Sequence, residues 1–130
     1  TKIISHKGNG QRKFAISDAA MNDLLRPALY DAYHKVLPCI RKERRPDFLF
    51  DLVGPICETG DWLAKRQDFS VSQGDLVAIK DVGAYGFSMA SNYNSRPRPP
   101  EVLIEMDGTA RLIRTRESVA DMLVLETKHL

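Results

Sequence analysis

The sequence predicts a mainly β fold, a Greek-key-like sandwich or barrel with a few short helices. Many short apolar runs of strand length favour this fold, turn residues separate most of these runs, and helical periodicity is brief wherever it occurs. The chain has 130 residues, which suits a single domain over 1–130, and no linker or internal repeat divides it. A domain of this size can bury on the order of two-thirds of its unfolded surface.

The first third of the chain is predicted to contain a hairpin and one helical segment. Strands at 2–7 and 11–17 flank a Gly-Asn-Gly turn, in which Asn and Gly tolerate positive φ. Apolar residues then follow helical spacing over about 20–31. Because Pro27 is tolerated only in a first turn, we expect a short or bent helix there.

The remaining elements are again short. Three prolines exclude regular structure from 92–100. The Asp-Gly pair at 107–108 predicts a two-residue hairpin turn, and Ser118 is suited to cap a helix. In chain order, the predicted elements are strands at 36–37 and 48–53, a helical turn at 61–65, a strand at 76–82, a hairpin at 101–115 and a helix at 118–125.

Composition excludes several classes of partner. The net charge of +2 is too small to indicate nucleic-acid binding, and the densest basic run, at 41–45, is short and typical of a solvated loop. No apolar run approaches the roughly 20 residues of a membrane span, and no signal peptide is visible. The two cysteines make no disulfide framework. We therefore expect a cytoplasmic protein with reduced thiols that binds neither nucleic acid nor membranes.

A Gly-rich turn at 54–61 places a thiol beside a carboxylate, directly after an apolar strand. Such junctions present side chains at the rim of a sheet, where chemistry is commonly staged. Cys57 could donate a proton, or it could be a small buried hydrophobic residue. Glu58 could bind an ammonium group, or it could be an exposed acid at a turn.

Arg26 and Tyr30 are four residues apart and share a face of a helical turn. Guanidinium and phenol together can bind a carboxylate, because arginine offers a bidentate fork and tyrosine a further donor. The alternative is a surface arginine over a core tyrosine. Tyr85, between two glycines after a strand, could pack on a flat cofactor or be an aromatic side chain at the edge of the core.

Other kinds of site find no support in the sequence. His6, His34 and His129 are scattered, and with two distant cysteines they show no metal-ligand spacing, so no metal site is expected. Neither a Gly-rich nucleotide phosphate loop nor a Ser/His/Asp nucleophile pattern is present.

Four segments, in order along the chain, resemble the C-terminal part of the diaminopimelate decarboxylases. The segments are MNDLLRPALYDAYH at 21–34, CETGD at 57–61, GAYGFSM at 83–89 and SNYNSRPRP at 91–99. The resemblance extends over roughly residues 2–127. It implies a pyridoxal 5'-phosphate enzyme of lysine synthesis with a two-domain, alanine-racemase-like architecture, which converts meso-diaminopimelate to L-lysine and CO2.

The resemblance also implies that the catalytic groups are divided between two domains. In the family, an N-terminal (β/α)8 barrel carries the phosphate-binding glycines and the lysine that holds the cofactor. The 130 residues of this chain are too few for such a barrel, which needs about 250. The chain alone is therefore expected to be inactive. By resemblance, Arg26 and Tyr30 bind the distal carboxylate, Cys57 donates a proton, Glu58 binds the substrate ammonium, and Tyr85 contacts cofactor and substrate. Cys57 and Glu58 would act in the partner subunit of a homodimer.

One departure and two alternatives remain. Ala20 replaces a glycine that the family usually has, which questions a tight turn or a close backbone approach there. A related arginine, ornithine or carboxynorspermidine decarboxylase shares the segment around Cys57, but its substrates lack the distal carboxylate that Arg26 would bind. A free-standing binding module is the other alternative.

Overall fold

The computed structural model describes residues 1–8, 10–40 and 49–128. Asn9 of the first predicted turn, the predicted loop at 41–45 and His129 lie outside these ranges. Contacts divide the chain into two units, Thr1–Ala90 and Ser91–Leu130. The single domain predicted over 1–130 stays a prediction.

In its described residues, the first unit contains six strands and two short helices. They are β1 (Ile3–Gly8), β2 (Lys13–Ser17), α1 (Arg26–Tyr30), β3 (Val36–Pro38), β4 (Leu49–Val53), β5 (Trp62–Asp68), β6 (Val77–Ile79) and α2 (Gly86–Met89).

A four-stranded sheet with the order β1-β2-β4-β5 forms the body of this unit. β1 and β2 pair as the antiparallel hairpin that the sequence predicts, β2 pairs with β4 in parallel, and β4 pairs with β5 antiparallel. β3 and β6 form a separate antiparallel pair. The fully buried side chains of Ile3, Leu52, Leu63 and Val77 belong to one core. The predicted mainly β class with a few short helices is confirmed.

The helical turn predicted at 61–65 is wrong, because β5 begins at Trp62. Three consecutive apolar residues there do not distinguish a helix from a strand by their spacing. The pairing of β5 with β4 determines that these residues form a strand, since Val53 lies opposite Trp62 and Leu52 opposite Ala64. A non-local ladder thus overrides the local pattern.

The helix predicted over 20–31 is much shorter in the structure. Only α1 is helical, and residues 21–23 form a turn in which the Asp23 carboxylate accepts the amide N–H of Ala20 at 2.9 Å. Pro27 stands in the first turn of α1, as predicted. Asp31 ends the helix in the left-handed region, with φ 59°.

The second unit, as far as the structure describes it, contains a 3₁₀ turn, a hairpin and two one-turn helices. They are the turn Tyr93–Ser95, β7 (Glu101–Ile104), β8 (Ala110–Arg114), α3 (Val119–Met122) and α4 (Val124–Thr127). The expectation of no regular structure in 92–100 is therefore wrong for the 3₁₀ turn, which precedes the prolines. The predicted cap is confirmed, because the Ser118 side chain accepts the amide N–H of Asp121 and the Asp121 carboxylate accepts that of Ser118.

The predicted hairpin is present, but its two-residue turn is wrong. Glu105 and Thr109 still pair across the strands, and the loop between them contains three residues. The amide of Gly108 donates to the carbonyl of Glu105 at 2.9 Å, and Gly108 has φ 86°. Glycine at this left-handed position is typical of a three-residue hairpin loop. None of the helices in the described part of the chain is long and apolar enough to cross a membrane.

Candidate active site

Arg26 and Tyr30 contact each other along one face of α1. Nε of Arg26 donates to the Tyr30 hydroxyl oxygen at 2.7 Å. The Tyr30 side chain is half exposed, so its own O–H can donate outward. The sequence spacing correctly predicted that the two groups share a face.

Tyr85 joins this pair from a different part of the chain. It directly precedes α2, and its ring centroid lies 5.6 Å from the guanidinium carbon of Arg26. The ring of Tyr30 lies at the same distance. Both phenols are exposed, at 52% for Tyr30 and 55% for Tyr85. We call these three residues the Arg26 cluster; it presents one cation and two aromatic hydroxyls at the surface of the first unit.

His34 also contacts the Arg26 cluster, although the sequence analysis did not identify it as a site residue. Its ring is buried, with Nδ1 2.9 Å from the carbonyl oxygen of Lys80 and Nε2 3.5 Å from Nη1 of Arg26. Its position at the end of the segment 21–34 was the one available signal. The contact to Lys80 spans 46 residues, which local patterns do not register.

Cys57 and Glu58 lie on the loop between β4 and β5, at residues 54–61, which we call the Cys57 turn. Both residues are exposed. The amide of Glu58 donates to the carbonyl of Ile56 at 2.8 Å, and the carbonyl of Glu58 accepts from the amide of Asp61 at 3.1 Å. Cys57 is therefore neither disulfide-bonded nor buried, which removes the alternative of a small buried hydrophobic residue.

The buried carboxylate of Asp61 fixes the Cys57 turn. Oδ2 accepts the amide N–H of Ile56 at 2.8 Å within the turn, and Oδ1 accepts that of Met21 at 2.7 Å. Asp61 is only 4% exposed. One side chain thus connects the Cys57 turn to the segment that leads into α1.

Ala20 lies where the chain approaches itself closely. A Cβ added to Gly54 would lie 2.6 Å from the Cα of Ala20 and 2.4 Å from an Asp61 carboxylate oxygen. Glycine is therefore required at 54. Ala20 is fully buried and its backbone is outside the left-handed region, so alanine fits. The close backbone approach that the family's glycine suggested therefore exists, between residues 20 and 54. It tolerates alanine at 20 because the residue at 54 is glycine.

In the second unit, the Glu117 carboxylate organises the segment 91–98. It accepts from Nη2 of Arg98 at 2.9 Å, from the amide of Arg98 at 2.8 Å and from Nδ2 of Asn92. These bonds, those from the Arg98 side chain foremost, lower the pKa of Glu117 to about 2. The sequence analysis did not identify Glu117, because its partners are 19 and 25 residues away.

The structure brings the predicted site residues together in two groups. Arg26, Tyr30 and Tyr85 form one group, and Cys57 with Glu58 forms the other. In the described ranges, no hydrogen bond or ring contact joins Cys57 or Glu58 to the Arg26 cluster.

Comparisons with known proteins also point to the pyridoxal-dependent decarboxylases. The family model described as the C-terminal sheet domain of pyridoxal-dependent decarboxylase matches residues 1–83. The chain is 47% identical over 126 residues to a diaminopimelate decarboxylase of Haemophilus influenzae, covering 97% of the chain and 30% of that relative. It is 50% identical over 119 residues to the Aquifex aeolicus protein of the same name, covering 91% and 28%.

Solved structures show the same relationship. The chain is similar to diaminopimelate decarboxylase from Helicobacter pylori complexed with L-lysine, with a TM-score of 0.88, 42% identity and coverage of 99% of the chain and 31% of that structure. Carboxynorspermidine decarboxylase from Campylobacter jejuni, at a TM-score of 0.75 and 18% identity over 95% of the chain and 36% of that structure, shares the fold alone. The chain thus spans about 30% of the length of the curated relatives it matches.

Proposed function

Because the chain belongs to the family of pyridoxal-dependent decarboxylase C-terminal sheet domains, we propose that it is the C-terminal domain of a diaminopimelate decarboxylase. The whole protein would convert meso-diaminopimelate to L-lysine and CO2. Relatives of that name, 47% identical over nearly the whole chain, support this reading. The proposal places a (β/α)8 barrel, with the lysine that holds the cofactor, outside these residues, so the chain alone would not turn over substrate.

The main structural support for this proposal is the Arg26 cluster. Arg26 hydrogen-bonds to Tyr30 and His34, and neither contact, in the part of the chain that the structure describes, supplies a negative charge. A ligand carboxylate would supply it, through the bidentate geometry that guanidinium favours. The exposed hydroxyl of Tyr30 offers a third donor. Diaminopimelate has such a distal carboxylate, whereas ornithine, arginine and carboxynorspermidine are decarboxylated without one.

The residues present also fit a contribution to pyridoxal phosphate binding. Tyr85 is an exposed phenol at the start of α2, next to Arg26, where a flat ring or a phosphate oxygen can reach it. The cofactor, when bound, accepts the electrons released as CO2 leaves the substrate. Tyr85 would hold and orient it, while the other cofactor-binding groups belong to the barrel.

The Cys57 turn supplies the proton chemistry in this proposal. The Cys57 thiol would donate its proton to the substrate carbon that has lost CO2, because an S–H group placed beside that carbon can act as a general acid. Glu58 would bind the substrate ammonium. Both side chains are exposed, as expected if they enter the active site of a partner subunit in a homodimer. The unpaired thiols at Cys39 and Cys57 support a cytoplasmic location for this enzyme.

A substrate comparison tests the proposal. The whole protein, loaded with pyridoxal phosphate, is assayed for CO2 release from meso-diaminopimelate, L-ornithine and L-arginine. We expect turnover of diaminopimelate, and we expect Arg26→Ala to lower kcat/KM about 100-fold, because a charge-assisted, bidentate contact is lost. The matched control is Arg111→Ala, which removes a surface arginine paired with Glu105 in the second unit. Turnover of ornithine or arginine that exceeds turnover of diaminopimelate, and that Arg26→Ala leaves unchanged, would contradict the proposal.

A further inference from the structure

The tautomer of His34 is fixed by its surroundings. His34 is 2% exposed, and its Nδ1 lies 2.9 Å from the carbonyl oxygen of Lys80. A carbonyl can only accept, so Nδ1 carries the hydrogen. In a neutral imidazole the other nitrogen then has a lone pair and no hydrogen. Nε2 of His34 is therefore an acceptor.

This acceptor faces Arg26. Nη1 of Arg26 lies 3.5 Å from Nε2 of His34, at the long limit of a hydrogen bond. Arginine has donors only, so the contact needs the tautomer that Lys80 selects. With Nε of Arg26 bound to Tyr30, two edges of the planar guanidinium have protein partners. The orientation of the remaining edge follows from these two.

Hydrogen bonds from β5 and from the end of β6 hold the backbone around His34. Its carbonyl accepts Nε2 of Gln67 on β5 at 3.2 Å, and the amide of Lys80, just after β6, donates to the carbonyl of Lys35 at 2.8 Å. Gln67 is buried and also accepts the amide N–H of Val36 at 3.3 Å. The buried His34 is thus hydrogen-bonded through both its ring and its backbone, whereas Arg26 is a long side chain on a helix of five residues.

We propose that His34 is a positioning residue, whose neutral Nε2 orients the guanidinium of Arg26 so that its remaining N–H groups meet a ligand carboxylate. The inference rests on the proposed function and deepens it, by assigning carboxylate selectivity to a residue that does not touch the ligand. A bidentate contact depends on the plane of the guanidinium, so orientation changes affinity for a carboxylate and leaves the rest of the ligand unaffected.

Two substitutions separate the two hydrogen bonds of His34. His34→Asn carries its amide nitrogen about where Nδ1 lies, so it can donate to Lys80 but cannot reach Arg26. His34→Gln carries its amide oxygen about as far from the backbone as Nε2, so it can accept from Arg26. The ligands are L-lysine and cadaverine, which differ only by the carboxylate, and binding to the whole protein loaded with pyridoxal phosphate is measured by calorimetry.

We expect His34→Asn to weaken L-lysine binding about fivefold, the value of one net hydrogen bond, and to leave cadaverine binding unchanged. His34→Gln, which keeps an acceptor for Arg26, should bind L-lysine about as tightly as the native protein does. In an Arg26→Ala background, His34→Asn should have no further effect on L-lysine, because the two residues act through one contact. Nitrogen NMR of the whole protein should show the hydrogen of His34 on Nδ1, a result that does not depend on ligand binding.

The outcomes distinguish this inference from the function on which it rests. A native protein that prefers L-lysine to cadaverine, with His34→Asn changing neither affinity or both equally, overturns the positioning role and leaves the proposed function intact. A hydrogen on Nε2 of His34 does the same. A native protein without preference for L-lysine overturns the proposed function, and the positioning role with it.

Discussion

The Arg26 cluster and the Cys57 turn are built in opposite ways. In the Arg26 cluster, the candidate side chains contact one another: Arg26 hydrogen-bonds to Tyr30, lies over Tyr85 and faces a buried histidine. In the Cys57 turn, hydrogen bonds hold the backbone and the candidate side chains are exposed. The carboxylate of Asp61, which fixes the turn, accepts from the backbone amides of Met21 and Ile56.

This difference bears on the proposed function. Arg26 is contacted by Tyr30 and His34 of the same chain, so in the proposed enzyme the Arg26 cluster would form without a partner. The Cys57 turn has a backbone held by hydrogen bonds and exposes a thiol and a carboxylate. In the proposed enzyme, these two groups would act on a substrate bound by another part of the whole protein or by a second copy. Binding and proton transfer should therefore respond separately to substitution.

The largest expected effect is the loss of the thiol. Cys57→Ser should lower kcat for diaminopimelate by about 10²- to 10⁴-fold, because the general acid is replaced by a much weaker one. The affinity for L-lysine should stay within about twofold, since the Arg26 cluster is untouched. Cys39→Ser, at the other exposed cysteine of the same unit, is the matched control and should change neither. A parallel loss of L-lysine affinity in Cys57→Ser would show that the two regions are not separate.

Asp61→Asn should weaken both regions at once. An amide has one acceptor oxygen, so one of the N–H groups of Met21 and Ile56 would face an NH2 group in a buried site. The expected cost is about 1–3 kcal/mol, which accelerates amide hydrogen exchange at both residues about tenfold to a hundredfold.

Hydrogen exchange followed by mass spectrometry checks the effect of Asp61→Asn in the whole protein. Asp107→Asn is the control, because it is exposed and its side chain keeps an oxygen for the amide of Thr109. If Asp61→Asn accelerates exchange at Ile56 alone, Asp61 does not couple the Cys57 turn to the segment before α1.

Tyr30→Phe should have a smaller effect, confined to binding. It removes the oxygen that accepts from Nε of Arg26 and the hydroxyl that can donate to a ligand. We expect KM for diaminopimelate to rise about fivefold and kcat to change less than about twofold. Tyr33→Phe, in the same segment and 75% exposed, is the control. A change in kcat without a change in KM would place Tyr30 with the proton chemistry of the Cys57 turn.

Glu117 lies in neither region, so its substitution is expected to affect activity least, and the prediction concerns its titration. Its pKa is lowered from 4.5 to about 2, so its contribution to stability is complete above pH 4.5 and is lost as the pH falls towards about 2. Carbon NMR of the Glu117 carboxyl group should show a midpoint near 2, moving towards 4.5 in Arg98→Ala. A midpoint that Arg98→Ala leaves in place would mean that another group holds the segment 91–98.

Local chemistry explains what the sequence could predict. The first hairpin, the cap at Ser118 and the shared face of Arg26 and Tyr30 depend on residues within a few positions of one another, and all three are confirmed. The strand at Trp62–Asp68 was missed because its partner β4 decides its conformation. His34 and Asp61 were missed as organisers because their bonds connect residues 46 and 40 positions apart.

The resemblance to a family contributed a different kind of information. It named Tyr85, Cys57 and Glu58 together, although their spacing alone left each with an unremarkable alternative. The structure then placed Tyr85 against Arg26, a contact that no local pattern gives. The assigned roles of these residues stay predictions, which the variants above test.

Complementation between two variants of low activity tests the central claim most directly. Arg26→Ala and Cys57→Ala copies of the whole protein are expressed together and assayed for CO2 release from meso-diaminopimelate. If each active site combines Arg26 of one subunit with Cys57 of the other, a mixed dimer contains one site with both residues native. The account predicts that co-expression restores activity far above that of either variant alone. Activity no higher than that of the separate variants, with mixed dimers shown to form, would contradict it.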